Sequence, residues 1–157
     1  MGENCKKYQE RVGAVAGSTK LCGAYDRTLD AKNRIVMPPK FKEVFNDNEE
    51  FILVCLPNDN YLSVYTEAEY DALMEEVLFP HDGVNRKRLQ RFVYSRTEKC
   101  TLDAQSRFVI KPSLAELAGI TRDVKMIGIG KRVELWDPEA YRKDLEEFNP
   151  GSFDTPY

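Results

Sequence analysis

At 157 residues the chain has room for one domain, or for two small ones sharing a core. Its 42% hydrophobic and 31% charged residues are ordinary for a globular protein, and its longest apolar runs, such as Phe51 to Leu56, are far too short to cross a membrane. A formal net charge of −3 does not advertise a nucleic-acid binder; it does not exclude one either, because binding needs a local basic patch and not a basic whole.

In chain order, residues 1–20 match no element strongly. Val12 to Gly17 is only a scrap of small apolar residues, too little for the apolar core of a signal peptide. Met1-Gly2 opens like a myristoylation signal, but Lys6 stands where Ser or Thr is wanted. A cytoplasmic location is therefore expected. A first unit, residues 21–80, follows. Its segment Leu29-Asp30-Ala31-Lys32-Asn33-Arg34 leads into a short alternating strand, Arg34 to Met37. Pro39 then starts a helix with Phe41, Val44 and Phe45 at helical spacing. Two strands, Phe51 to Leu56 and Tyr61 to Tyr65, flank the turn residues Pro57-Asn58-Asp59-Asn60. Thr66, with Glu69 three residues on, is a capping box that opens a closing helix.

The segment 81–99 joins this unit to the next. Within it, Val84 to Lys99 carries Leu89, Phe92 and Val93 at helical spacing and reads as a connecting helix. The second unit, residues 100–148, repeats the first. Leu102-Asp103-Ala104-Gln105-Ser106-Arg107 matches Leu29 to Arg34, and at constant offset Val109 matches Val36, Pro112 matches Pro39 and Glu116 matches Glu43. The predicted elements recur in order: a strand over Arg107 to Ile110, a helix from Pro112 stopped by Gly119, strands over Val124 to Ile129 and Arg132 to Trp136, and a helix opened by Asp137-Pro138. A unit of about fifty residues with three short strands cannot bury a good core alone, so the two copies are expected to pair about a pseudo-twofold axis. Residues 149–157 contain Pro150, Gly151 and Pro156 and read as a flexible tail.

Several chemistries find no support. Cys5, Cys22, Cys55 and Cys100 lack the close spacing of zinc ligands and His81 is the only histidine, so reduced, mostly packed thiols and no metal are expected. Gly128-Ile129-Gly130-Lys131 hints at a phosphate loop, but Lys125 stands where its first glycine belongs. No nucleophile motif is present, and neither an enzyme nor a cofactor is expected.

Gly23-Ala24-Tyr25, the run LDAKNRIVMP from Leu29 to Pro38, its second copy at Leu102 to Lys111, and Glu134-Leu135-Trp136 resemble the MraZ family over about residues 21–148. That resemblance implies an α+β fold, a swapped-hairpin AbrB-like (SpoVT-AbrB) β-barrel built from the two tandem repeats with short flanking helices. It further implies a sequence-specific DNA-binding regulator, acting as a repressor of the bacterial division and cell-wall gene cluster. The regulator would be a ring-like homo-oligomer on short promoter direct repeats, cytoplasmic and nucleoid-associated. A protein-assembly or antitoxin-like module of the same fold is the alternative. The family's glycine before each arginine is replaced here by Asn33 and Ser106; Asn tolerates the left-handed backbone better than Ser does.

Arginine reads guanine bidentately through O6 and N7 in the major groove. The resemblance makes Arg34 and Arg107 the expected DNA contacts, with Lys32 on phosphate and Gln105 its neutral counterpart. Asp30 and Asp103 would support them by pairing with the arginine or by fixing the turn. From the residues alone, each Asp–Arg pair is equally readable as a structural clip. Arg86, Lys87, Arg88, Arg91, Arg96 and Lys99 make the connector basic, either as part of a DNA face or as a solvated helix face.

Overall fold

The computed structural model describes residues 20–46 and 48–153. The reading of residues 1–20 falls outside them except at Lys20, and so does the end of the tail, residues 154–157. The first repeat supplies β1 (Cys22–Thr28), β2 (Arg34–Val36), a 3-10 turn (Pro39–Glu43), β3 (Phe51–Val54), β4 (Leu62–Thr66) and helix α1 (Glu67–Leu78). Helix α2 (Gly83–Tyr94) leads into the second repeat, with β5 (Thr97–Cys100), β6 (Arg107–Val109), α3 (Pro112–Leu117), β7 (Asp123–Ile129), β8 (Val133–Trp136) and α4 (Pro138–Glu147). The two closing helices start at the expected caps: Thr66 Oγ1 accepts from Glu69 N at 3.2 Å, and Asp137 Oδ2 accepts from Ala140 N at 3.1 Å.

Strand pairing follows the duplication. The main sheet has six strands in the order β1-β7-β8-β4-β3-β5, all antiparallel neighbours. Each repeat sends its first strand to the other: β1 lies on β7, and its counterpart β5 lies on β3. The centre is β4 against β8, with Ser63 opposite Glu134. Separately, β2 and β6 form a two-stranded ribbon in which Ile35 faces Phe108, the equivalent residues of the two copies.

This arrangement corrects the expected barrel. The fold is α+β, but among the described residues no sheet closes: β1 and β5 remain as the two edges of the main sheet, and the ribbon joins neither. The physical reason lies in the ribbon strands, which are three residues long. Each is bounded by an aspartate turn on one side and by Pro38-Pro39 or Pro112 on the other, and prolines have no N–H to extend a ladder. The last amides stay within the ribbon, Met37 N donating to Ser106 O and Ile110 N to Asn33 O, both at 2.8 Å. The connecting helix also ends earlier than its apolar spacing suggested, because Thr97 to Cys100 pairs with β3.

Alternation places one core on each face of the sheet. Phe51, Leu53 and Cys55 point to the ribbon side, where they meet Ile35, Met37, Phe41, Phe108, Ile110 and Leu114. Ile52 and Val54 point the other way, onto Tyr65, Tyr70, Met74, Leu78 and Val93 beneath α1 and α2. Gly128 is required where β1 crosses β7, since a Cβ there would lie 2.5 Å from Cys22 N and 2.6 Å from the Leu21 carbonyl carbon.

Candidate nucleic-acid interface

The two Asp-x-x-x-Arg segments build the same turn twice. Asp30 Oδ1 accepts from the backbone N–H groups of Lys32 and Arg34, both at 2.9 Å, and Asp30 Oδ2 accepts from Arg34 Nε at 2.7 Å. Asp103 does the same, taking Gln105 N, Arg107 N and Arg107 Nε, each at 2.9 Å. The turns close through Asn33 N to Asp30 O and Ser106 N to Asp103 O, both at 3.0 Å. Each carboxylate therefore shapes the loop with one oxygen and aims the guanidinium with the other. The arginine's backbone N–H, then its side chain and the second backbone N–H, hold both carboxyls below the ordinary carboxylate range despite some desolvation.

This closure needs a left-handed residue just before the arginine. Asn33 has φ 59° and Ser106 has φ 61°, so both non-glycine residues adopt it. Asn does so at modest cost and Ser at more, on the order of 1–2 kcal/mol for an ordinary side chain. Glycine would remove that strain but loses about 0.5–1 kcal/mol through its freer unfolded chain. Ser106→Gly should therefore stabilise the protein by about 0.5–1 kcal/mol in denaturant melts. A destabilised variant would show that Ser106 is not strained.

The four charged groups meet on one side of the ribbon. Arg107 Nη1 reaches across the repeat boundary to Asp30 Oδ2 at 4.0 Å. Arg107 Nη2 also donates to Gln105 Oε1 at 3.0 Å, whereas the Nη atoms of Arg34 have no hydrogen-bond partner among the described residues. The Arg34 and Arg107 side chains keep 29% and 25% of their surface exposed, so these are not sealed ion pairs. Lys32 and Gln105 are exposed beside them. The sequence missed the contact across the repeat boundary, which requires the strand exchange to be known.

The connector basics do not extend this face. Helix α2 packs through Val93 and Leu89 into the core on the opposite side of the sheet from the ribbon. There, Arg96 Nη1 donates to the Phe92 carbonyl and its guanidinium lies 3.9 Å over the Phe92 ring, and Lys99 pairs with Glu67 at 3.2 Å and Glu50 at 3.6 Å. The acidic helix α1 lies on that same far side. Among the described residues no group of His, Cys, Asp and Glu is arranged to hold a metal, and no helix is long and apolar enough to cross a membrane.

A family model described as "MraZ protein, putative antitoxin-like" matches residues 21–92 and again 93–157. The chain belongs to the MraZ family. It is 35% identical over 133 residues to the transcriptional regulator MraZ of Clostridium acetobutylicum, covering 84% of this chain and 89% of that one. The MraZ regulator of Thioalkalivibrio sulfidiphilus is 30% identical over 129 residues, 80% of this chain and 85% of its own. That of a Thermoanaerobacter species is 34% identical over 124 residues, 78% and 85%. Membership of MraZ makes the chain a regulator and not an enzyme, and the double match follows its internal duplication.

Proposed function

We propose that this MraZ-family regulator reads duplex DNA with the β2–β6 ribbon, Arg34 and Arg107 contacting guanine and Lys32 contacting phosphate. The observation that carries the reading is the pair of arginines on one narrow, two-stranded ribbon, each already oriented by its aspartate. B-DNA's major groove admits such a ribbon, and prior orientation spares the entropy of ordering a long side chain on binding. The partner is promoter DNA carrying short direct repeats, engaged by a ring-like oligomer. Repression of the division and cell-wall cluster, by a protein in the cytoplasm and on the nucleoid, is the physiological role.

Arg34→Ala and Arg107→Ala should each remove about 1–3 kcal/mol of sequence-specific binding. Because the pairs are partly exposed and each aspartate keeps its backbone bonds, the cost in stability should be about 0–1 kcal/mol. Lys32→Ala should weaken binding to all sequences and reduce the salt slope by about one phosphate contact. Binding titrations beside thermal melts separate the readings: an Arg34→Ala protein that melts several degrees lower yet keeps its preference would make the arginine a clip.

A further inference from the structure

On the outward face of the ribbon the side chains alternate with the buried ones. Ile35 and Phe108 point inward with 0% and 1% of their surface exposed, and Val36 and Val109 point outward with 41% and 51% exposed. The register sets Arg34 directly opposite Val109 and Val36 directly opposite Arg107. The outer face is thus a patch of two arginines and two valines, each arginine facing the valine of the other repeat. Neither valine belongs to either core. The two copies differ at Lys32 and Gln105, at Asn33 and Ser106 and at Ile35 and Phe108, yet carry valine at both outward positions.

We propose that Val36 and Val109 are specificity-determining residues that read the C5-methyl groups of thymines neighbouring the guanines contacted by the arginines. The proposal rests on the ribbon being the DNA-reading element. In the major groove an apolar side chain distinguishes thymine by its methyl, the one apolar group presented there. Directly opposed residues on antiparallel strands lie about 4.5–5.5 Å apart, and base pairs rise about 3.4 Å each. A valine facing an arginine therefore covers a base one or two steps from the guanine that arginine reads. Each reading unit is composite: Arg34 with Val109, and Arg107 with Val36. A β-branched side chain suits the role because it presents methyl groups on a stiff stem close to the strand.

The probe is a duplex enriched by the full-length protein from a randomised pool, with chemically altered bases introduced one at a time. 7-Deazaguanine, which lacks the N7 acceptor, locates the guanines that are read. Deoxyuridine in place of a thymine removes the methyl and leaves every hydrogen-bonding group. At a thymine one or two steps from a located guanine, deoxyuridine should weaken binding about fourfold. Val109→Ser and Val36→Ser, which remove both valine methyls at an exposed position, should each weaken binding to the unmodified duplex. Each should also abolish the deoxyuridine effect beside one arginine's guanine and retain it beside the other's. Neutral deoxyuridine next to the located guanines would overturn the proposal, as would a deoxyuridine penalty undiminished in both variants. A pool that yields no sequence preference would instead overturn base reading by the ribbon, and the valine assignment with it. A strong preference that Arg34→Ala abolishes, together with neutral deoxyuridine, would overturn the valine assignment alone.

Discussion

Phe108→Ala should lower stability by about 3–5 kcal/mol, the usual cost of truncating a buried phenylalanine. Phe108 lies at the centre of the ribbon, 1% exposed, opposite the fully buried Ile35. Its ring meets Phe51 of the main sheet edge-to-face at 5.3 Å and 85°. This contact, more than the aspartates, holds the ribbon on the sheet: the Asp–Arg pairs are a quarter to a third exposed, and such pairs contribute about 0–1 kcal/mol. For a chain of this size the expected fall in Tm is about 6–20 °C, against about 0–4 °C for Arg34→Ala. On the proposed reading, specific DNA binding should weaken in both variants, in one through loss of the platform and in the other through loss of the reader. A Phe108→Ala protein destabilised by less than about 1 kcal/mol would mean that the cavity collapses and the ribbon is held elsewhere.

Much of this was legible in the chain because the duplication shows each element twice. The turns around Asp30 and Asp103, the capping Thr66 and Asp137 and the core strands β3 and β7 have local causes: a carboxylate that bonds its own loop, a cap, an alternating or continuous apolar run. What escaped was non-local. β1 carries mixed, largely exposed side chains, CGAYDRT, and β5 is only four mixed residues, TEKC, so neither announces itself. Their placement on the opposite repeat's strand, and so the absence of a closed barrel, depends on which backbone groups find partners. The basic connector could be read either way from the sequence for the same reason. Its charges are real, but the face they occupy is set by Val93 and Leu89 packing on the far side of the sheet. Val36 and Val109 were visible as the third residue of RIV and RFV, yet their meaning requires the inward turn of Ile35 and Phe108.

Inserting about half a helical turn, roughly five base pairs, between two operator repeats should collapse binding towards the single-site level, and a full turn should restore part of it. On the proposed reading each chain offers two reading arginines, and one of them, Arg107, already spends Nη2 on Gln105. The net charge of −3 supplies little general attraction to phosphate. The acidic helix α1 lies on the side of the sheet away from the ribbon, so its carboxylates do not face the proposed DNA. On that reading a single short element should be held weakly, and affinity is expected to come from several chains fixed in one assembly. Such linkage raises overall affinity by about 10² to 10⁴, provided that geometry allows simultaneous contact. Equivalent faces of B-DNA recur about every 10–10.5 base pairs, so half a turn points the second repeat away from its reader. Neighbours in a closed ring are related head to tail, which is why the repeats are expected in direct and not inverted order. Titrations on the three duplexes measure this directly. Equal affinity at zero and half a turn would show that each chain binds alone, and the assembly would then have to serve something other than avidity.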